Sequence, residues 1–180
     1  RSILCFGEAL IDMHGHGNDG HGFARQFLPF AGGAPANVAV AAARLGSHSR
    51  FAGMLALDRF GDFLLHSLQE LGVDTMNVAR TAEANTALAF VTLDSHGERS
   101  FSFYRPPAAD LLFRPEHFRA QTFDNTAAFH ACSNSLTDPN LAATTMEAMQ
   151  RARRAGALVS FDLNLRPALW PLGVEPRHFA

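Results

Sequence analysis

At 180 residues, 47% hydrophobic and 18% charged, the chain fits one domain with a sizeable core. Its formal charge of −2 includes 15 basic residues that are scattered apart from Arg151, Arg153 and Arg154, which argues against a nucleic-acid surface. No apolar run approaches the roughly 18 residues of a membrane span, and because every basic residue is arginine, no lysine nucleophile or Schiff base is available within the chain.

The opening RSILCFGEAL has neither an initiator methionine nor the basic, apolar and small-residue segments of a signal peptide, so the expected location is cytoplasmic. Within it, SILCFGEALID reads as one buried strand that delivers Glu8 and Asp12 near its carboxyl end. After the glycine-rich FAGGAP, ANVAVAAARLG is alanine-rich and closes on Gly46, the pattern of a helix with a glycine C-cap. SRFAGMLAL predicts a second strand. In DRFGDFLLHSLQELG, Phe60, Phe63, Leu64, Leu68 and Leu71 recur at three- and four-residue steps before Gly72, which predicts a second helix. Strand, helix, strand, helix implies a parallel sheet.

TALAFVTLDSHGERSFSFYR interrupts this rhythm with two β-rich runs around Asp94-Ser95-His96-Gly97, a hairpin signal. Together with an extended piece from His21 to Phe30, it suits a small satellite sheet or lid. The alternation resumes with AAFHAC as a strand and TDPNLAATTMEAMQRARRAG as a helix, with Asp138 as N-cap, Pro139 in the first turn and Gly156 past the end. Its three closing arginines suit the negative end of the helix dipole. ALVSFDLNLRP reads as a further buried strand, with polar residues at the end where open α/β sheets place ligands. Cys5 and Cys132 lie in apolar strands without a CxxC partner and are expected to be buried free thiols.

The polar residues of interest all fall at loop-side ends: Asp12, the Gly32-Gly33 turn with Asn37, Arg105 after the hairpin, and Asp162, Asn164 and Arg166. Gly32-Gly33 matches neither the dinucleotide fingerprint nor the P-loop. Bare backbone at a helix start suits a phosphate or a neutral polyol equally, and an ionised Asp12 accepts hydroxyl hydrogen bonds. Each residue also has a purely structural reading: Asp12 as a loop cap, Gly32 and Gly33 as a tight turn, Arg105 as a surface arginine, Asp162 and Asn164 as turn formers. His14, His16 and His21 alternate with glycine in HGHGNDGHG, but no carboxylate or cysteine set completes a metal site. The expectation is a loose, exposed connection and no metal.

Beyond these readings, GGAPANVAVAAARLG resembles the N-terminal signature of the ribokinase/PfkB family of sugar kinases, and FDLNLRPALW resembles the segment that closes the first half of fructokinases and 2-keto-3-deoxygluconate kinases. GEALIDM, LGVD, GERSFSFYR and AADLL extend the likeness over nearly all 180 residues. It implies an α/β, three-layer ribokinase-like fold with a parallel central sheet and a small β lid, cut after its first half. Residues 1–180 would be the N-terminal part of the kinase, with lid strands at about 13–30 and 86–105. The resemblance implies that Asp12, Gly32, Gly33 and Asn37 bind sugar hydroxyls, that Arg105 reaches in from the lid, and that Asn164 and Arg166 lie near the sugar or the phosphoryl path.

The implied activity is ATP-dependent phosphorylation of a sugar hydroxyl, with ATP and Mg2+ as cofactors, a small-molecule sugar as partner, no nucleic acid or membrane, and a homodimer through the lid. Ala34-Pro35 in the glycine motif and AADLL lean toward fructokinases rather than ribokinases. Phe103 stands where keto-deoxy sugar acid kinases often carry a tyrosine, which favours fructose, although Arg105 and Arg166 would also suit a sugar-acid carboxylate. The family's second signature, D-T-x-G-A-G-D, and its N-x-x-E motif are absent from these residues. The catalytic base is therefore expected beyond Ala180, and a non-catalytic sugar-binding fragment stands as the alternative. A nucleoside kinase is disfavoured, since its pocket would want more apolar lid residues.

Overall fold

The computed structural model describes residues 1–17, 24–93 and 99–170. In chain order the elements are β1 (Ser2–Phe6), β2 (Leu10–His16), β3 (Gln26–Gly32), α1 (Ala34–Arg44), β4 (Ser49–Ala56), α2 (Arg59–Glu70), β5 (Asp74–Thr81), β6 (Leu88–Leu93), β7 (Arg99–Tyr104), β8 (Thr126–Cys132), α3 (Pro139–Arg154) and β9 (Leu158–Asp162), with short 3-10 turns at Ala109–Leu112, Pro115–His117, Ser133–Leu136 and Pro167–Leu169. Five strands in the order β5-β4-β1-β8-β9 make the larger sheet, and β3-β2-β6-β7 make the smaller one. Every pairing in the larger sheet is parallel, as the strand–helix alternation predicts.

Period-two patterning explains the layers. From β1 and β4, Leu4, Phe6, Ala52, Met54 and Ala56 enter one core with Leu141, Ala148 and Ala152 of α3. Their alternates Cys5, Phe51 and Leu55 enter the opposite core with Ala36 and Ala39 of α1 and Leu64 and Leu68 of α2. The first of these cores is rich in aromatics: Phe6 lies 5.2 Å from both Phe113 and Phe118, edge-on to the former, a geometry in which ring quadrupoles attract.

The helix boundaries follow the sequence signals. Gly46, with φ 86°, ends α1, and its successor Ser47 donates to the carbonyl of Ala42 in a Schellman-type closure. Asp138 accepts from the N–H groups of Asn140 and Leu141 at the start of α3. The hairpin strands β6 and β7 pair antiparallel, while their connecting Asp94-Ser95-His96-Gly97 lies outside the described residues.

Four expectations change. SILCFGEALID is two strands in two sheets, split by the Gly7–Ala9 link, because the buried Glu8 needs hydrogen-bond partners that neither ladder offers. His14 and His16 belong to β2 rather than to a loose loop, held by a ladder that runs from Leu10–Gly32 to His16–Gln26; His21 lies outside the described residues. β5 is an additional strand, paired among the described residues only to β4. β9 is exposed here: Leu158 is 71% exposed and Phe161 38%, because among the described residues β9 is an edge strand with β8 as its single neighbour.

Asp58 ties the two sheets together. Its carboxylate caps α2 through the Gly61 N–H at 2.7 Å and also accepts the Thr86 N–H and hydroxyl at 2.8 and 2.7 Å, just before β6. Partial burial pushes its carboxyl up, but the hydrogen bonds from Thr86 and Gly61 outweigh that and hold it below the ordinary aspartate range. A depressed carboxylate stabilises the fold above its unfolded pKa, and that contribution is lost as pH falls through the folded value. Asp58→Ala should therefore cost about 2 kcal/mol at neutral pH, from a lost cap and loop bonds. Denaturant melts should show the gap between the two proteins narrowing on acidification; a constant gap would refute the assignment.

Candidate functional site

The larger sheet reverses its order at β1. The chain builds outward through β4 and β5 on one side and returns to the other with β8 and β9, so the loops leaving β1 and β8 diverge and leave a crevice. Glu8, two residues past β1, is 1% exposed. Its Oε1 accepts from the Ala34 N–H of α1 at 3.2 Å and from Asn134 Nδ2 in the turn after β8 at 2.9 Å. The Cys132 thiol points at the same carboxylate from 3.7 Å.

Arg105 follows β7 and is 2% exposed, which rules out the surface reading. Its Nε donates to Asp110 Oδ2 at 2.8 Å and its Nη1 to the Thr137 hydroxyl at 2.7 Å, while Nη2 lies 2.7 Å from the same Asp110 oxygen. Burial works against the guanidinium charge, but Asp110 and Glu8 outweigh it and push the pKa up. Burial pushes the Glu8 carboxyl up in turn, against the pull of Arg105 and Asn134, with a net direction above the ordinary glutamate range. The same desolvation raises Cys5 to about 12 and pushes Cys132 up as well. Both cysteines are buried and free and remain thiols, with no thiolate to act as nucleophile.

Above these groups lies a cavity of about 310 Å³, near the lower end of small-molecule pockets. Asp12, Gly33, Asn37, Phe103, Arg105, Asn164 and Arg166 all line it, as does Asp162. Asp12 of β2 and Asn37 of α1 thus share one hollow. Asp162 and Asn164 are turn formers and wall residues at once: Asp162 Oδ1 accepts from the Asn164 N–H at 3.0 Å, with Asn164 at φ 26°. Ser133 anchors this turn by donating its hydroxyl hydrogen bond to the Leu163 carbonyl. Phe101 and Phe103, two apart on β7, are stacked at 6.1 Å between centroids and form an apolar side.

Gly32 alone among the candidates is off this wall and faces a smaller cavity behind it. A Cβ there would overlap the Asp12 carboxylate, so its role is to make room for Asp12. Gly33 is constrained twice over, by φ 108° and by a virtual Cβ only 2.5 Å from the Glu8 carbonyl oxygen. Burial pushes the Asp12 carboxyl up despite the nearby His14.

Sequence reasoning did not single out Glu8, Asp110 and Asn134 as site residues, although Glu8 and Asn134 line the cavity and Asp110 holds Arg105. The available signals were an acid directly after Gly7 in an apolar run and the acid of AADLL. The Asn134 Oδ1 is buried without a hydrogen-bond partner among the described residues, a free acceptor at the wall. Among the described residues no three His, Cys, Asp or Glu side chains gather to hold a metal ion.

The profile of the pfkB family carbohydrate kinases matches residues 1–177. The chain belongs to that family. It is 45% identical over 177 residues to the probable fructokinase-3 of Arabidopsis thaliana, covering 97% of this chain and 51% of that one. With fructokinase-1 of Oryza sativa subsp. japonica it shares 44% over 176 residues, 97% of this chain and 54% of the other. The chain thus spans about half the length of the curated relatives it matches. Among solved structures, a fructokinase from Xylella fastidiosa superposes with a TM-score of 0.93 at 62% identity, over 98% of this chain and 55% of that one. A fructokinase from Vibrio cholerae O395 with fructose, ADP and potassium bound gives 0.83 at 34%, over 98% and 54% of the two chains. The family's fold and this architecture agree in their parallel central sheet and second, smaller sheet.

Because the folded Glu8 binds its proton more tightly than the unfolded chain does, its contribution is greatest below the ordinary glutamate pKa of about 4.3 and declines as pH rises. Thermal midpoints of Glu8→Gln and the parent should therefore drift in favour of the variant between about pH 4 and pH 8. Parallel curves would show that Glu8 titrates normally.

Proposed function

We propose that this chain supplies the sugar-binding half of an ATP-dependent kinase that transfers a phosphoryl group to a primary hydroxyl of fructose. The observation that carries the reading is the meeting of Asp12, Asn37 and Arg105 around one polar hollow at the reversal point of the sheet. The family membership and the likeness to fructokinases support it.

An ionised Asp12 accepts two sugar hydroxyls and orients the ring. Asn37 at the start of α1, the free Asn134 Oδ1, Asn164 and Arg166 add donors and acceptors around it, and Phe101 and Phe103 shield one side from water. A site of fixed polar groups rejects analogues that lack the matching hydroxyls. The smaller sheet acts as a lid whose closure excludes water that would otherwise compete for the phosphoryl group. Exposed Phe27, Phe30 and Tyr104 on that sheet favour a homodimer formed through it.

A neutral sugar suits the electrostatics better than a sugar acid. Arg105 is already paired with the buried Asp110, on which its Nε and Nη2 converge, so little of its charge is left for an incoming carboxylate. Arg166 is the cation left on the wall, and it is exposed. No three His, Cys, Asp or Glu side chains gather among the described residues to hold Mg2+ for an incoming ATP. The binding groups for Mg2+ and ATP and the catalytic base are proposed to lie outside these 180 residues. The reading includes a cytoplasmic setting, in keeping with free cysteines, and neither nucleic acid nor membrane; no helix among the described residues is long and apolar enough to cross one.

ATP-dependent phosphorylation by the full-length protein should favour fructose over 2-keto-3-deoxygluconate and adenosine. Phosphorylation of either alternative in preference to fructose would overturn the substrate assignment, and binding of fructose without transfer would leave a sugar-binding protein. Asp12→Ala should keep its fold and lose about 100-fold in fructose affinity by calorimetry, the worth of two hydrogen bonds to a charged group.

A further inference from the structure

A second cavity, of about 340 Å³, opens beside the carboxyl ends of β4 and β5 and is lined by Met54, Arg80, Thr81, Glu83, Leu112, Arg114 and His117. It shares no wall residue with the first cavity, and β5 is at the opposite edge of the sheet from β9. Its chemistry is dominated by donors. Arg80 spends one nitrogen, Nη2, on the Ala56 carbonyl and the Asp62 carboxylate at 2.8 and 2.7 Å. Its Nε is buried and without a partner among the described residues, and an orphaned charged donor of this kind costs free energy until an acceptor arrives.

Among the described residues Arg114 likewise commits only Nη1, to the carbonyls of Leu111 and Phe113 at 2.8 and 2.9 Å, which fixes the guanidinium plane while its other N–H groups have no partner there. The His117 ring adds a third donor. Its Nδ1 accepts the Arg114 backbone N–H at 2.8 Å, so in the neutral ring the proton must sit on Nε2, the remaining nitrogen. Two oriented guanidinium groups and an imidazole N–H form a set that matches a tetrahedral oxyanion, since guanidinium donors fork onto paired oxygens. Glu83 is the one carboxylate on the wall and is exposed. It stands as a rim acceptor for a hydroxyl rather than as a counter-ion for the donors.

We propose that this cavity is a phosphate-binding site, separate from the sugar pocket, that takes either free phosphate or the phosphoryl group of a small organic ester. The site does not depend on the proposed kinase activity, because none of its residues enters that reading.

Inorganic phosphate titrated into the full-length protein should bind saturably and shift the His117 ring resonances. Arg114→Gln should weaken that binding tenfold or more, the loss of charge-assisted hydrogen bonds. Arg114 also clamps two carbonyls, so a second variant is needed that leaves the fold alone. Glu83→Gln meets this requirement, because the Glu83 side chain is exposed and makes no hydrogen bond among the described residues. Removing its charge should tighten inorganic phosphate about threefold at low salt. A hexose monophosphate that binds more tightly than phosphate and shifts the same ring assigns an organic ester; equal affinity assigns free phosphate. Absence of saturation overturns the site. So does phosphate binding that is indifferent to Glu83→Gln and Arg114→Gln but lost in Arg166→Ala, which would put the anion in the first cavity.

Discussion

The buried carboxylate of Glu8 is the constraint around which the crevice is organised. A charge removed from water costs several kcal/mol unless its lone pairs are met, and here Oε1 accepts from two different parts of the chain. The Ala34 N–H comes from the first turn of α1 and the Asn134 amide from the turn after β8, with the Arg105 charge approaching from the end of β7. Each partner is also on the wall of the first cavity. Satisfying Glu8 therefore fixes the glycine turn relative to the β8 turn, and a shift of either would leave a buried group unpaired.

The charges beneath the cavity form an alternating series, Glu8, Arg105, Asp110, in which the two acids flank one base. The arrangement holds Arg105 rigid through Asp110 and Thr137, so the guanidinium presents a fixed dipole to the cavity and not a mobile charge. The smaller sheet meets its surroundings at two apolar contacts: Ile11, with Met13 and Leu88, enters the core that holds Leu64 and Leu68 of α2, and Leu10, Ala87, Ala89 and Ala108 form a smaller cluster with Phe103 against it. Alanines bury little apolar area, and at about 25 cal/mol per Å² this cluster adds less than the Ile11 contact, while Asp58 adds a polar tie at the root of β6. Precise polar geometry on the floor and apolar attachment of the cover are separate properties, carried by separate residues.

The three long helices and their caps were legible because local chemistry decides them: Asp138 and Pro139 start α3, and Gly46 and Gly156 end their helices whatever surrounds them. β5 was not, since DTMNVART lacks apolar alternation and is a strand only because the β4 edge offers it a ladder. The opposite error affected β9, whose apolar run reads as buried while its position at the sheet edge leaves it exposed. Of the candidate site residues, those on the cavity wall were found through glycine spacing and family likeness. Glu8, Asp110 and Asn134 escaped because acids and amides ordinarily sit at the surface, and nothing local reveals that these three are buried and mutually satisfied.

The segment from Arg105 to His117 connects the two cavities. Arg105 and Asp110 belong to the floor of the first, and Leu112, Arg114 and His117 to the wall of the second. Between them Phe113 is fully buried, edge-on to Phe6 of β1 and to Phe118 at 5.2 and 4.8 Å. A ring locked in a close-packed core resists small displacements. It therefore acts as a fixed post between the two sites: the Asp110 side is held by its ion pair and the Arg114 side by the carbonyls it clamps. The 3-10 turn at Ala109–Leu112 is the stretch of chain between the Arg105 pairing and the Phe113 post. Its first residue is tied by the Ala109 N–H to the Asn85 carbonyl, one residue before the Thr86 that Asp58 holds at the root of β6.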